Sequence, residues 1–546
     1  HEALNRLPSA QAVNGGRFYY NQVMFRGQSF QNWDRHTLYL INGRPIRNTQ
    51  TKGLNQALLN SMPLSIVDQL EVIRGPGSVL YGTNAYSSVV NIRTDINRDQ
   101  EYWVSGSTGD YDTEGGEVGS RFVNGDFKAL INAKYFNAGA KDITLGDSNA
   151  LYRDQEFWQN SESLFVDVQY KGWRVLASQF SHDMPYFSDG LTWRSGETEV
   201  VEMKDVFANL GYTHDFGDHE LGFDITYNDN EWDEKYDKDF SGGDSTLYEV
   251  QAKGKLGIEN NFNKENRYIL GAIYEKEKFS STDLLSQLNR TRSAYAQIDY
   301  YPHPQLKLIA GSQWNNPELI SPDTTNRLSA IWKFNPVWSL KVQYSEAFRA
   351  PSSVESSANI PGVFLGDPNV EPETIATSEL QLIYQTTSLT SSINYYHSEL
   401  DDLIVLVNNA GGGRINANGD GARYDGVEWE LKSDINSNWY INSNASWQNN
   451  RVDIVVSDPA PTPEKMAKVG IIYHNHQWKL GLQTNYFAKP PRYVDDRSNP
   501  RPDSYIFSTL SVEYKLPELS DNSKVTLYVD NLTDEDVWYV DYHNRR

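Results

Sequence analysis

From about residue 100 onward the chain alternates apolar and polar residues with a period of two, and this constrains its fold more than any other feature. A period of two puts successive side chains on opposite faces of a β-strand. Leu221, Phe223, Ile225 and Tyr227 alternate with Gly222, Asp224, Thr226 and Asn228, and Trp338, Leu340, Val342 and Tyr344 with Ser339, Lys341, Gln343 and Ser345. Trp478, Leu480, Leu482 and Tyr486, and again Ile506, Leu510, Val512 and Tyr514, repeat the arrangement. A soluble two-sheet sandwich alternates as well, so the connections have to discriminate. Short turns such as Asn124-Gly125, Lys171-Gly172, Gly217-Asp218 and Asn475-His476 interleave with long polar stretches over about 138–160, 184–199, 228–245, 350–373, 408–421, 450–466 and 488–504. Tight turns on one side and long loops on the other are the habit of outer-membrane barrels.

Composition removes the competitors. Mean hydropathy is −0.62, and no window approaches the ~18 consecutive apolar residues of a membrane-spanning helix. Lys plus Arg is 49 against 72 Asp plus Glu, a formal charge of −23, which offers a phosphate backbone no counterion release and excludes a generic nucleic-acid binder. With 34 Tyr and 14 Trp the chain is no disordered acidic polymer. It has no cysteine, so disulfides, thiolate zinc sites and cysteine nucleophiles are out. No basic or apolar leader precedes His1; any export signal is expected to have been removed or never supplied.

About 21 candidate strands fall between Glu101 and Tyr539, and bacterial single-chain barrels close with an even number. The expectation is an all-β transmembrane barrel of the 22-stranded type whose closing strand lies beyond Arg546. Residues before about 95 read as a small α/β unit, with Thr37 to Ile41 as a strand and Gly53 to Leu59 as a helical turn. Barrels of this size have a lumen wide enough to need filling. The expected division is therefore a plug over 1–97 in the lumen of an antiparallel barrel over 98–546.

Four ordered blocks in the first segment carry a resemblance: Phe25-Arg26-Gly27, Leu38 to Ile46, Ile66 to Gly82 (IVDQLEVIRGPGSVLYG) and Val89 to Ile92. The barrel adds Tyr344 to Pro351 (YSEAFRAP), Gly366 to Glu373 (GDPNVEPE), Asp425 to Glu430 (DGVEWE) and Val529 to Leu532. Together they resemble the TonB-dependent outer-membrane receptors, siderophore and cobalamin types included. That resemblance implies capture of a scarce nutrient outside and active import driven by the TonB complex, by a protein that works as a monomer, is no enzyme and needs no cofactor. The family's energy-coupling segment, the TonB box, should precede His1, and His1 to Pro8 resembles a plug helix found further inside complete receptors, so truncation is expected at both ends. The resemblance also implies that the arginines of the two Arg-Gly motifs, Arg26 and Arg74, pair with barrel glutamates. The best matches are Glu379 and Glu428, with Glu71 as a rival partner for Arg74.

The ligand is expected at the plug apices, Gly15 to Tyr20 and Ile46 to Gln50, which offer Arg17, Phe18, Tyr19, Tyr20, Arg47 and Gln50. Cationic and aromatic groups suit an anionic iron chelate, and a ferric siderophore is the leading substrate. Haem, cobalamin or an oligosaccharide are the alternatives within the family, and a passive channel or adhesin the alternative outside it. Haem fares poorly because residues 352–367, where an axial imidazole is expected, contain no histidine; only His182 or His36 would serve. Asp229, Glu231 and Asp233 open an acidic run whose oxygens suit calcium. Without EF-hand spacing, a solvated loop beside lipopolysaccharide is the stronger reading.

Overall fold

The structure is a computed structural model describing residues 3–15, 20–27, 35–53, 56–146, 152–186, 199–234, 240–258, 264–281, 286–360, 364–452, 462–490, 503–520, 522–535 and 537. Within these, 21 strands from Glu101–Gly109 to Lys524–Val529 form one closed barrel in chain order. Chain-consecutive strands run antiparallel. The twenty-second strand expected from the even-number rule is not among the described residues. The sheet order instead brings Lys524–Val529 beside Glu101–Gly109.

Alternation here is inverted relative to a soluble protein. Leu210, Val342, Leu380 and Ile393 point outward and are exposed, while Asn209, Thr226, Gln313, Thr377 and Asn394 point inward and are buried. A sandwich would bury the first set and solvate the second. Only a lipid surround makes the outward apolar face favourable. Directly after tight turns, four tryptophans pack, rings tilted, against tyrosines one strand away: Trp173 against Tyr212 at 4.6 Å, Trp338 against Tyr384 at 4.9 Å, Trp439 against Tyr473 at 4.9 Å and Trp478 against Tyr514 at 4.5 Å. These amphipathic rings mark one membrane interface. Trp447, eight residues beyond Trp439 and again exposed, lies about 27 Å further along its strand. At a tilt of ~40° that is on the order of 20 Å of height, near the ~25 Å apolar band of such barrels.

Two expected loops are largely strand. Phe127–Gly146 and Tyr152–Tyr170 run through 138–160, and His219–Glu234 and Phe240–Lys255 through 228–245. Beyond the lipid both faces of a hairpin meet water or the plug, so apolar residues drop out while pairing continues. Polarity there marks the end of the membrane and not the end of the strand. The described parts of the connections over 350–372 and 402–421 also carry regular structure: Asn359–Ile360, Phe364–Leu365, Arg414–Asn418 and Ile404–Asn408 make a separate four-stranded sheet.

The plug segment contains a hairpin, Ala10–Gly15 with Tyr20–Phe25, and a four-stranded sheet ordered Arg44–Ile46, Thr37–Ile41, Ser88–Thr94, Val67–Arg74. Asn42 and Gly43, with φ of 50° and 82°, form the two-residue turn that Asn-Gly favours because both positions need positive φ. Helices are short, Gln56–Ser61 and Ser78–Tyr81, and the expected N-terminal helix is a single 3-10 turn, Leu4–Arg6. Plug residues Tyr39, Ile41, Leu58 and Ile66 share one apolar cluster with Leu130, Phe165, Phe180 and Phe207 of the wall.

Leu380→Arg, on the lipid face near mid-membrane, should lower the free energy of folding into lipid vesicles by about 2–4 kcal/mol. Leu380→Ala should cost much less. Urea titration of vesicle-embedded protein measures both.

Candidate functional site

Arg26 follows the strand Tyr20–Phe25 and adopts φ of 52°, held by its N–H donating to the Ser9 carbonyl at 2.8 Å. The guanidinium reaches three adjacent barrel strands. Nε and Nη2 donate to the two oxygens of Glu428, both at 3.1 Å, and Nη1 donates to Glu379 Oε1 at 2.8 Å. Between these carboxylates Asn394 Nδ2 donates to both, at 3.3 Å each, and the Tyr396 ring lies 4.1 Å beneath the guanidinium carbon. Two negative charges, one bidentate, raise the Arg26 pKa against the opposing effect of burial. Gly75 is required here: a Cβ at that position would sit 2.7 Å from Glu379 Oε1 and 3.2 Å from Arg26 Nη1.

Arg74 joins the same cluster. It ion-pairs with Glu430 and lies 3.8 Å from Glu428 Oε2. The structure thus brings Arg26, Arg74, Glu379 and Glu428 together. Glu71 pairs with Arg93 at 3.0 Å. Glu430 was not anticipated, although period two places it on the same face as Glu428.

A second buried network joins plug, loop and wall. Arg349 donates to Glu355 Oε2 at 2.8 Å and Oε1 at 3.0 Å, and to Glu373 Oε2 at 2.8 Å. Arg35 of the plug reaches Glu355 at 2.6 Å, and His36 Nε2 lies 2.6 Å from Glu373. Ser352 and Glu355 form a reciprocal capping box on the loop helix Ser353–Ser357. Arg349 and Arg35 hold the Glu355 carboxyl down at about 2, overcoming its burial. Burial keeps the His36 pKa below its ordinary value despite Glu373. Sequence reasoning missed this network, though Arg349 and Glu373 sit inside the quoted YSEAFRAP and GDPNVEPE stretches.

On the strands from His219 to Pro317 the plug strip 44–52 meets a row of carboxylates. Arg44 pairs with Asp224 at 2.6 Å and Glu249 at 2.7 Å, Arg47 with Glu275 at 3.0 Å, and Lys52 with Glu277. Elsewhere Lys468 donates to the carbonyls of Ala10 and, at 2.6 Å, Leu7.

The expected ligand contacts fare unevenly. Arg17, Phe18 and Tyr19 lie outside the described residues, and Tyr20 opens a plug strand. Arg47 is buried in its pair with Glu275, so it presents no free charge outward; Gln50 lines a small cavity with Ala57, Met203 and Asp205. His36 and His182 are both buried. Asp229, Glu231 and Asp233 lie on a strand, not a loop, and alternate with Asn228 and Asn230, which face the plug and accept from the N–H groups of Arg47 and Thr49. Among the described residues no three acidic or histidine side chains converge as a metal site.

A filled, lipid-facing barrel with ion-paired contents defines a class of outer-membrane protein, and comparison with known proteins gives the family. The TonB-dependent receptor plug domain matches residues 1–89, and the TonB-dependent receptor-like β-barrel matches residues 102–532. The chain belongs to the TonB-dependent receptor family and is a bacterial outer-membrane protein. It is similar to an iron-regulated outer membrane virulence protein of Vibrio cholerae serotype O1, 24% identical over 446 residues, 74% of this chain but 64% of that protein, so under two thirds of that relative is spanned. It is 23% identical to the vitamin B12 transporter BtuB of Photobacterium profundum over 98% of this chain and 86% of the other. The crystal structure of the siderophore receptor PirA from Acinetobacter baumannii superposes with a TM-score of 0.77 at 16% identity, covering 98% of this chain and 91% of that one.

Arg26→Ala leaves two carboxylates buried without their cation and should weaken plug retention by about 3–5 kcal/mol. Adding Glu428→Gln should recover part of the loss. Hydrogen exchange of plug amides under urea reads both. For Glu355 the folded pKa of about 2 lies below the ordinary glutamate value of 4.5. Its stabilising contribution is therefore complete above about 4.5 and lost as pH falls toward about 2. The melting temperature of Glu355→Gln should converge on that of the unsubstituted protein across that window.

Proposed function

We propose that the chain captures a ferric siderophore at the cell surface and imports it by a rearrangement of the plug that the TonB complex drives. The observation that carries this reading is a plug fastened inside the barrel by buried ion pairs beside its apolar packing, above all Arg26 between Glu428 and Glu379. Such a seal is tight while dry and separable without breaking a fold. A passive channel has no use for it. We assign Arg26, Arg74, Glu379 and Glu428, with Glu430, the role of a lock that weakens during transport.

Iron is favoured as cargo by the relatives, among which an iron-regulated outer membrane protein and a siderophore receptor stand beside this chain. Cobalamin is the second reading, supported by the alignment with BtuB along nearly the entire chain. Haem is disfavoured because His36 is engaged with Glu373 and packed, ring tilted, 4.5 Å from Tyr86.

Equilibrium binding of the purified protein to a panel of ferric siderophores, haemin and cyanocobalamin tests the reading. At least one ferric siderophore should bind with sub-micromolar affinity. Binding of cobalamin alone would sink the iron assignment and keep the importer.

A further inference from the structure

The plug is attached to its surroundings in two unlike ways. Against the strands from Phe127 to Phe216 the contact is mainly apolar, with Tyr39, Leu58 and Ile66 packed among Phe165, Phe180 and Phe207 and no ion pair from plug to wall among the described residues, although Ser61 donates to the Ser181 carbonyl at 2.7 Å and Asn42 to Asp167 at 3.4 Å. Against the strands from His219 to Pro317 it is polar. There Arg44, Arg47 and Lys52 face Asp224, Glu249, Glu275 and Glu277. Between the plug and this polar wall lies a cavity of about 20 Å³, lined by Arg47, Lys52, Thr83, Glu277, Gln313 and Asn315 among others. That is room for a water molecule.

Buried polar atoms are left over in this seam. Gln313 is fully buried, yet neither its Nε2 nor its Oε1 has a hydrogen-bond partner; Asn315 Nδ2 and Asn289 Oδ1 are also unpartnered. An unpaired amide buried from water is a liability that hydration removes. This seam therefore offers incoming water polar groups to bind, whereas opening the other wall exposes aromatic surface around Phe165, Phe180 and Phe207, with only scattered polar atoms such as those of Asn132, Ser163 and Ser178 to offset it.

We propose that the plug stays hinged on the Phe127–Phe216 wall and parts from the His219–Pro317 wall, and that the imported solute passes between the strip 44–52 and Gln313, Asn315, Glu275 and Glu277. The charge of that solute follows. When Arg44, Arg47 and Lys52 leave, the wall keeps Asp224, Glu249, Glu275 and Glu277. Of the wall cations nearby, Lys307 is engaged with Asp299, and Arg327, on the next strand and hydrogen-bonded to Gln343, offsets one of these four charges and leaves the row net negative. A passage of this sign admits a neutral or cationic solute and repels a polyanion. Resting on the siderophore reading, this narrows the cargo to an iron chelate of zero or positive net charge.

The chain lacks cysteine, so single thiols report cleanly. Gln313→Cys and, separately, Phe180→Cys are placed in the purified protein, which is titrated with urea and probed with a trimethylammonium and a sulfonate methanethiosulfonate, each rate normalised to a free thiol. The expected result is that Gln313→Cys reacts at a urea concentration where Phe180→Cys is still protected, at least tenfold faster with the cationic reagent. Release of Phe180→Cys first, or of both together, overturns the hinge; equal rates for the two reagents overturn the charge assignment. Asn315→Cys repeats the measurement should Gln313→Cys fail to fold. This assay uses no siderophore, so failure of the ligand panel leaves its outcome standing. A disulfide between Thr49→Cys and Gly243→Cys, adjacent across the seam, should abolish uptake in a transport-competent receptor without affecting surface binding, reversibly with reductant. Uptake persisting with the cross-link formed would refute the route.

Discussion

In hydrocarbon an unpaired backbone amide has no water to turn to, so a sheet that crosses a bilayer must close on itself. Much of the rest follows from that closure. A closed sheet of 21 strands encloses more space than its own side chains can fill, and its inner face never sees lipid. Asn209, Thr226, Gln313 and Thr377 therefore line a wall that a soluble protein would make apolar. Whatever fills such a lumen must meet a polar surface. The plug does so with arginines and Lys52 aimed at inward carboxylates, and has its larger apolar packing in one sector, around Phe165 and Phe180, with Tyr86 in a smaller cluster beside Ala347 and Ile375.

The barrel was legible in the sequence because period two is a local signal, repeated strand after strand and tied to one physical boundary condition, lipid outside. The signal faded where that condition lapsed. Above the membrane the hairpin of Phe127–Gly146 and Tyr152–Tyr170 keeps its pairing but loses the apolar face, and its polar residues resembled a loop. Arg26, Arg74, Glu379 and Glu428 were found through motif resemblance, with alternation adding that Glu379 and Glu428 face the lumen. Arg35, Glu355 and Lys468 were not found. Their partners lie hundreds of positions away or on a loop whose path the sequence does not encode locally, and a single charged residue in a polar stretch looks like any solvated one. The capping box Ser352 to Glu355 was a readable sign that this loop is ordered.

The two ion networks differ in what they join. Arg349, Glu355 and Glu373 tie two adjacent barrel strands to the loop between them, and Arg35 and His36 bring the plug in. Arg26 and Arg74 tie plug to wall with nothing of the loops between. Moving the plug thus breaks the second network entirely and the first only at its margin. The loop over 350–372 can keep its shape through Arg349 while Arg35 and His36 withdraw.

A lock made of charges has a property that an apolar one lacks. Two unit charges 4 Å apart attract by about 4 kcal/mol at an effective dielectric of about 20, and by about 1 kcal/mol in water. Admitting water therefore removes most of the hold and at the same time repays the desolvation cost of both ions. An apolar contact behaves in the opposite sense, because each water admitted adds to the cost of parting. The Tyr396 ring beneath Arg26 and the Asn394 amide between Glu379 and Glu428 pack against the buried Arg26 pairs, whereas the Arg74–Glu430 pair is partly exposed. If the cluster is the lock proposed above, water reaching Arg26 past those two side chains would weaken its pairs together. The strength of the seal is set by its hydration more than by the number of its contacts.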